Sequence, residues 1–170
     1  QTISLATVET AQQRGLLVAL AMVLSWLESM VPLSLAVPGV KLGLANLIIV
    51  IALYKMRLSE VFLLSIVRIL LSGFLFGNYF SILYSLAGGL LSLAVMALLK
   101  KAGDFSVMGI SMAGGVSHNV GQLVVAMLVV ETVSVSYYLP VLLVAGLVTG
   151  FLIGVAAGEM LKRLVSIQFY

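Results

Sequence analysis

The sequence predicts an all-α, polytopic membrane protein: a single domain over residues 1–170, built as a bundle of six transmembrane helices. Three observations carry that expectation. Hydrophobic residues make up 62% of the chain and charged residues 9%. An ordinary soluble domain is roughly a quarter charged, so this chain has too little charge to cover a water-facing surface. The mean hydropathy of +1.25 points the same way and excludes a disordered chain. Third, the apolar stretches are continuous and close to the ~20 residues that cross a bilayer as helix, without the alternation of barrel strands.

The first span covers about 14–31, from Arg14 to the stop at Pro32. The stretch before it, to Gln13, lacks a basic region followed by a short apolar core, so no cleavable signal peptide is expected. The second span, about 40–54, is short but apolar and begins after Pro38 and Gly39. The third covers 59–77, the fourth 79–99, the fifth 107–131 and the sixth 137–161. Connections are short and punctuated by charge, Gly or Ser: Lys55 to Leu58, Asn78 alone, Lys100 to Ser106, and Thr132 to Ser136. Nothing is left over for a soluble domain.

The basic residues orient the bundle. Arg14, Lys55, Arg57, Lys100, Lys101, Lys162 and Arg163 fall on one side of a six-span arrangement, and only Lys41 falls on the other. Positive charge is retained in the cytoplasm, so both termini are expected there. On this reading the net charge of +3 marks topology and not nucleic-acid binding. Tyr137 and Tyr138, at the outer start of the sixth span, suit the membrane interface.

Several chemistries are excluded. There is no cysteine and one histidine, so disulfide, thiolate and two-histidine metal sites are ruled out. There is no Walker A sequence, no nucleophile elbow and no paired aspartate motif for magnesium-diphosphate chemistry. Neither a cofactor nor a metal is expected, and the chain is not expected to catalyse a reaction itself.

What remains is a set of polar residues at membrane depth. Each ionisable group near the bilayer centre costs about 2.5–3.5 kcal/mol on insertion scales, so such groups are functional candidates. Arg68 is the midpoint of the third span, and His118 and Asn119 lie near the midpoint of the fifth. Asn46 is in the outer half of the second, Glu28 near the outer end of the first, and Lys41 and Asn78 at the outer rim. Ser65, Arg68 and Ser72 share a helical face; so do Ser81, Ser85, Gly88 and Ser92, with Tyr84 alongside, and His118 with Gln122. Turning these faces inward makes an outward-opening pocket about halfway through the membrane.

Its chemistry favours an anion. Arg68 is a planar donor fork suited to phosphate or carboxylate. Lys41 stands at the amino end of the second helix, where free N–H groups add positive character. His118 and the asparagines are further donors, and Glu28 opposes them, as a ligand contact or as counter-charge to Lys41 or Arg68. With apolar lining, the pocket suits an anionic head on an apolar tail. The plainer readings are interfacial snorkelling for Lys41, a structural ion pair for Arg68 with Glu28, and helix-to-helix bonds for His118, Asn46 and Asn119.

Small residues recur at four-residue spacing. Gly146, Gly150, Gly154 and Gly158 stripe the sixth span, and Ala11, Gly15 and Ala19 stripe the start of the first. Such stripes permit close helix contact: within the bundle or with another protein for the sixth span, and within the bundle or equally with a partner subunit for the first.

The run Pro38-Gly39-Val40-Lys41-Leu42-Gly43-Leu44-Ala45-Asn46 resembles the signature of the bacterial membrane family called heptaprenyl diphosphate synthase component I, or Gx transporter. So do Val67-Arg68-Ile69-Leu70-Leu71 with Gly73 and Phe76-Gly77, Tyr84-Ser85-Leu86-Ala87-Gly88-Gly89, and Ser117-His118-Asn119-Val120-Gly121-Gln122. Tyr138-Leu139-Pro140 and Gly146-Leu147-Val148-Thr149-Gly150 complete the set, in order along nearly the whole chain. That family is similar to the substrate-binding S components of energy-coupling factor transporters. The resemblance implies six helices, cytoplasmic termini in the bacterial plasma membrane, a scaffold membrane subunit and two cytoplasmic ATPases as partners. It also implies docking through the first helix, where Ala11, Gly15 and Ala19 match with Gly in place of Ala at the centre. The expected ligand is a prenyl phosphate or diphosphate. The alternatives are a membrane subunit of prenyl diphosphate synthesis and a stand-alone secondary carrier.

Overall fold

The computed structural model describes residues 5–30 and 43–164, with side chains from residue 11. Among these residues there are six α-helices and no strand: α1 Leu5–Met30, α2 Leu44–Lys55, α3 Leu58–Phe76, α4 Tyr79–Ala102, α5 Val107–Val130 and α6 Leu139–Arg163. A 3-10 turn, Val133–Tyr138, leads into α6. The all-helical class expected from the sequence is observed. Four segments are long and apolar enough to cross a membrane: Leu58–Phe76, Tyr79–Ala102, Val107–Val130 and Val133–Arg163. That is fewer than the six spans expected. The described α2 has only 12 residues, and α1, at 26 residues, carries Glu9, Arg14 and Glu28.

Local chemistry sets the helix ends. Asn78 opens α4: its side chain accepts from Ser81 N at 2.9 Å, and Ser81 Oγ accepts from Asn78 N at 3.0 Å. This reciprocal capping satisfies two of the donors that a helix start leaves over. Ser106 caps α5 by accepting from Gly109 N. Gly103, at φ 86°, ends α4 in the left-handed region, which glycine adopts without strain. Pro140 sits in the first turn of α6, where its missing N–H is no loss.

The helices form a closed ring, α1–α3–α4–α5–α6–α2, with α2 touching α1, α3 and α6. From Ile48 to Leu53 every residue of α2 is buried, so this helix is apolar all round and sits inside the bundle. Leu17, Ala21, Val61, Leu64, Leu93, Met96, Ile110, Ile153 and Ala157 pack around it. The outward faces carry large apolar side chains, among them Phe62, Leu63, Phe74 and Leu75 on α3 and Val144, Leu147, Phe151 and Leu152 on α6.

Glycines set the helix spacing. A Cβ on Gly115 would lie 2.3 Å from Gly146 O, and one on Gly154 2.7 Å from Met108 Cα, so α5 and α6 touch backbone to backbone. On the other side of α5, Gly121 would meet Ala87 O at 2.8 Å on α4. Three members of the α6 stripe, Gly146, Gly150 and Gly154, therefore make a contact within the bundle. Among the described residues, Gly158 and Gly15 have no such neighbour within 4 Å.

One end of the ring gathers the basic residues. Arg14 on α1 pairs with Glu60 on α3. Lys55 donates to the Leu164 carbonyl beyond α6, and Lys100 donates to Leu53 O near the end of α2 while lying 5.0 Å above the Tyr54 ring. Both lysines thus supply donors and positive charge to helix carboxyl ends.

Candidate functional site

The site begins where α1 meets the start of α2. Gly43 precedes α2 at φ 71°, ψ 23° and offers no side-chain cap. Its N–H instead donates to Glu28 Oε1 on α1, at 2.5 Å. A carboxylate from another helix thereby caps the positive amino end of α2. The helix that carries this carboxylate also packs against α3, the helix of Arg68. Arg68 is 8% exposed, and among the described residues its buried Nε has no hydrogen-bond partner.

The second half of the site lies across α4. A Cβ on Gly88 would meet His118 O at 2.7 Å, Gln122 Cγ at 2.9 Å and His118 Cδ2 at 3.1 Å. The absence of a side chain at residue 88 is therefore what lets His118 and Gln122 pack against α4. The adjacent Gly89 faces the other way: a Cβ there would lie 2.8 Å from Ile69 Cδ1, with Ser65 Oγ beyond. Since Ile69 follows Arg68, Arg68 and His118 stand at one level of the bundle, on helices flanking α4. Tyr84, one turn before Gly88, is half-buried.

A narrow recess of about 20 Å³ opens among α2, α4, α5 and α6, room for roughly one water molecule. Asn46, Ser92, Ser111 and Thr149 supply its polar lining, and Gly114, Gly115 and Gly150 its thin walls. Of these, Ser111 is not among the residues singled out from sequence, and Thr149 appears there only within the run Gly146-Leu147-Val148-Thr149-Gly150. Ser111 lies seven residues before His118, two helical turns on the same face, which is the signal that identifies it. Among the described residues no cluster of three or more His, Asp or Glu could hold a metal ion.

The family model for heptaprenyl diphosphate synthase component I matches residues 17–160. The chain belongs to this family. No curated protein and no solved structure matches it. The name heptaprenyl diphosphate synthase component I implies a partner component.

In this component I chain, the matched region contains Glu28, Arg68, His118 and the recess, and it begins after Ala11 and Gly15. Those two residues and Ala19 are exposed on α1. Lys41 lies outside the described residues, as does the expected start of the second span. Two asparagines have structural partners. Asn119 turns to α6, where its Nδ2 donates to Leu142 O at 2.7 Å in a buried bond. Asn78 is exposed at the rim and committed to capping α4. The component I bundle thus brings Glu28 to the amino end of α2 and packs His118 and Gln122 of α5 together against Gly88 of α4, while Asn46 lines the recess.

Proposed function

We propose that the chain is the substrate-binding membrane subunit of an energy-coupling factor uptake transporter. Its substrate on this reading is an anionic amphipathic isoprenoid, such as a prenyl phosphate or diphosphate. Arg68 carries the proposal: a guanidinium in the middle of an apolar helix, 8% exposed, with Nε lacking an acceptor. A buried donor left unmade costs about 1–3 kcal/mol, an arrangement that makes sense where a ligand supplies the acceptor. A phosphate matches the planar fork of arginine. The prenyl diphosphate in the family's name fits an anionic head with an apolar tail.

On this reading all six helices span the bacterial plasma membrane and both termini are cytoplasmic. Substrate enters from outside, where Lys41 adds a second cation. The exposed Ala11, Gly15 and Ala19 dock on a scaffold membrane subunit, and two cytoplasmic ATPases drive release. The chain binds and carries but does not catalyse.

The test is titration of farnesyl diphosphate into the purified chain in nanodiscs, against Arg68→Gln. Loss of one charge-assisted hydrogen-bonded contact, about 3 kcal/mol, weakens affinity roughly 100-fold. Unchanged affinity refutes the anion-binding role. The family's name favours a second reading, a subunit of prenyl diphosphate synthesis. That reading predicts magnesium-dependent product, or stimulation of a soluble synthase partner; co-purification with scaffold and ATPases favours transport.

A further inference from the structure

The geometry points to Glu28 as a built-in stand-in for the ligand's anionic head, holding the amino end of α2 in the empty state and displaced when a phosphate enters. This deepens the proposed function and rests on it. The first observation is the Glu28 Oε1–Gly43 N bond at 2.5 Å. Gly43 has no side chain to cap its own helix, so the first turn of the 12-residue α2 is served by an acid from α1. Amino ends of helices are general anion sites, and this one already holds an anion.

The second observation is independent. Arg68 is nine-tenths buried with an unpartnered Nε. Glu28 is on α1, which packs against both α2 and α3, yet among the described residues no ion pair joins it to Arg68; the ion pairs there involve Glu60 and Glu159. Among the described residues this carboxylate thus serves the start of α2, while the buried guanidinium on the adjoining α3 keeps an unpartnered Nε. A phosphate has more acceptor oxygens and more charge, so it can satisfy both. Two anions cannot share the place, because like charges a few ångströms apart repel strongly in a low-dielectric site.

Binding is therefore an exchange of one anion for another. The exchange selects against neutral isoprenoid alcohols, which offer nothing to replace the carboxylate. It also unties α1 from α2, so the helix that carries Ala11, Gly15 and Ala19 is changed by ligand. The shared ligand chemistry is a phosphate ester, whether from an isoprenoid or from a lipid headgroup.

The experiment compares wild type, Glu28→Gln and Arg68→Gln in nanodiscs, each titrated with farnesyl diphosphate, farnesol and phosphatidic acid. Infrared difference spectra are recorded on binding. Glu28→Gln keeps an acceptor for Gly43 N–H but removes the competing charge. It is expected to bind farnesyl diphosphate about tenfold tighter, which is about 1.4 kcal/mol, with farnesol unchanged. Wild type should show a shifted carboxylate band that Glu28→Gln lacks. If Glu28→Gln does not fold, Glu28→Asp, which keeps the charge but shortens the reach, should also bind tighter.

Unchanged or weaker binding by Glu28→Gln, or no carboxylate shift in wild type, overturns the exchange. A loss in Arg68→Gln alone then still supports the anion site. Tightening with phosphatidic acid only supports the exchange and overturns the isoprenoid part of the proposed function. If no probe binds any variant, both proposals fail.

Discussion

Gly150→Ala tests whether the α5–α6 seam is as close as the backbone places it. The added Cβ would lie 2.6 Å from Met112 Cα and 2.7 Å from Ser111 O. Ordinary carbon contacts fall at about 3.5–4.0 Å, so the helices must part by roughly 1 Å. The obstructing atoms belong to backbone, and no side-chain rotation relieves them. Parting there also strains the neighbouring contacts at Gly146 and Gly154. Overpacking of this kind costs about 1–3 kcal/mol, partly offset by the ~1 kcal/mol that Ala gains over Gly in a helix. The expected net loss is about 0–2 kcal/mol, read from unfolding in mixed micelles. Gly158→Ala is the control, because that position lies on the same stripe with nothing within 4 Å. It should be neutral, or stabilising by up to ~1 kcal/mol. If Gly150→Ala is as stable as Gly158→Ala, the seam is looser than described and the reasoning fails.

Two further substitutions separate packing from electrostatics. Asn119→Leu removes the bond to Leu142 O and should cost about 0.6–1.7 kcal/mol by the same unfolding assay, the range for interhelical bonds in bilayers. Its affinity for farnesyl diphosphate should fall far less than that of Arg68→Gln. Glu60→Gln breaks the pair with Arg14, whose side chain is 46% exposed. The loss should stay under about 1 kcal/mol and vanish at 1 M salt, where charges are screened beyond ~3 Å.

The helices were legible because apolar periodicity and end signals agree. Lys55 and Gly103 close α2 and α4, and Asn78 and Ser106 open α4 and α5, within a few residues of expectation. α1 starts at Leu5, well before the expected Arg14, because a helix can continue through polar residues that hydropathy discounts. Gly43 in its left-handed conformation puts the described start of α2 at Leu44, later than the expected 40. The α6 stripe suggested close contact, but spacing alone does not tell a seam from an open face. Gly150 has backbone against it and Gly158 has none. Side-chain direction was less legible still. His118 and Asn119 are neighbours in sequence, yet about 100° separates adjacent residues on a helix. One packs on α4 and the other bonds α6. Glu28 was visible as an acid at the right depth, but its bond to Gly43 N depends on how α1 leans on α2.

The enclosure of α2 has a consequence for biogenesis. Its 12 described residues reach roughly 18 Å along the axis. It is held among α1, α3 and α6, and α6 is the last of these to leave the ribosome. Lys55, at the carboxyl end of α2, likewise donates to Leu164 O, just past α6. A nascent chain halted before residue 139 therefore leaves its central segment unshielded on one side, and membrane quality control should degrade it.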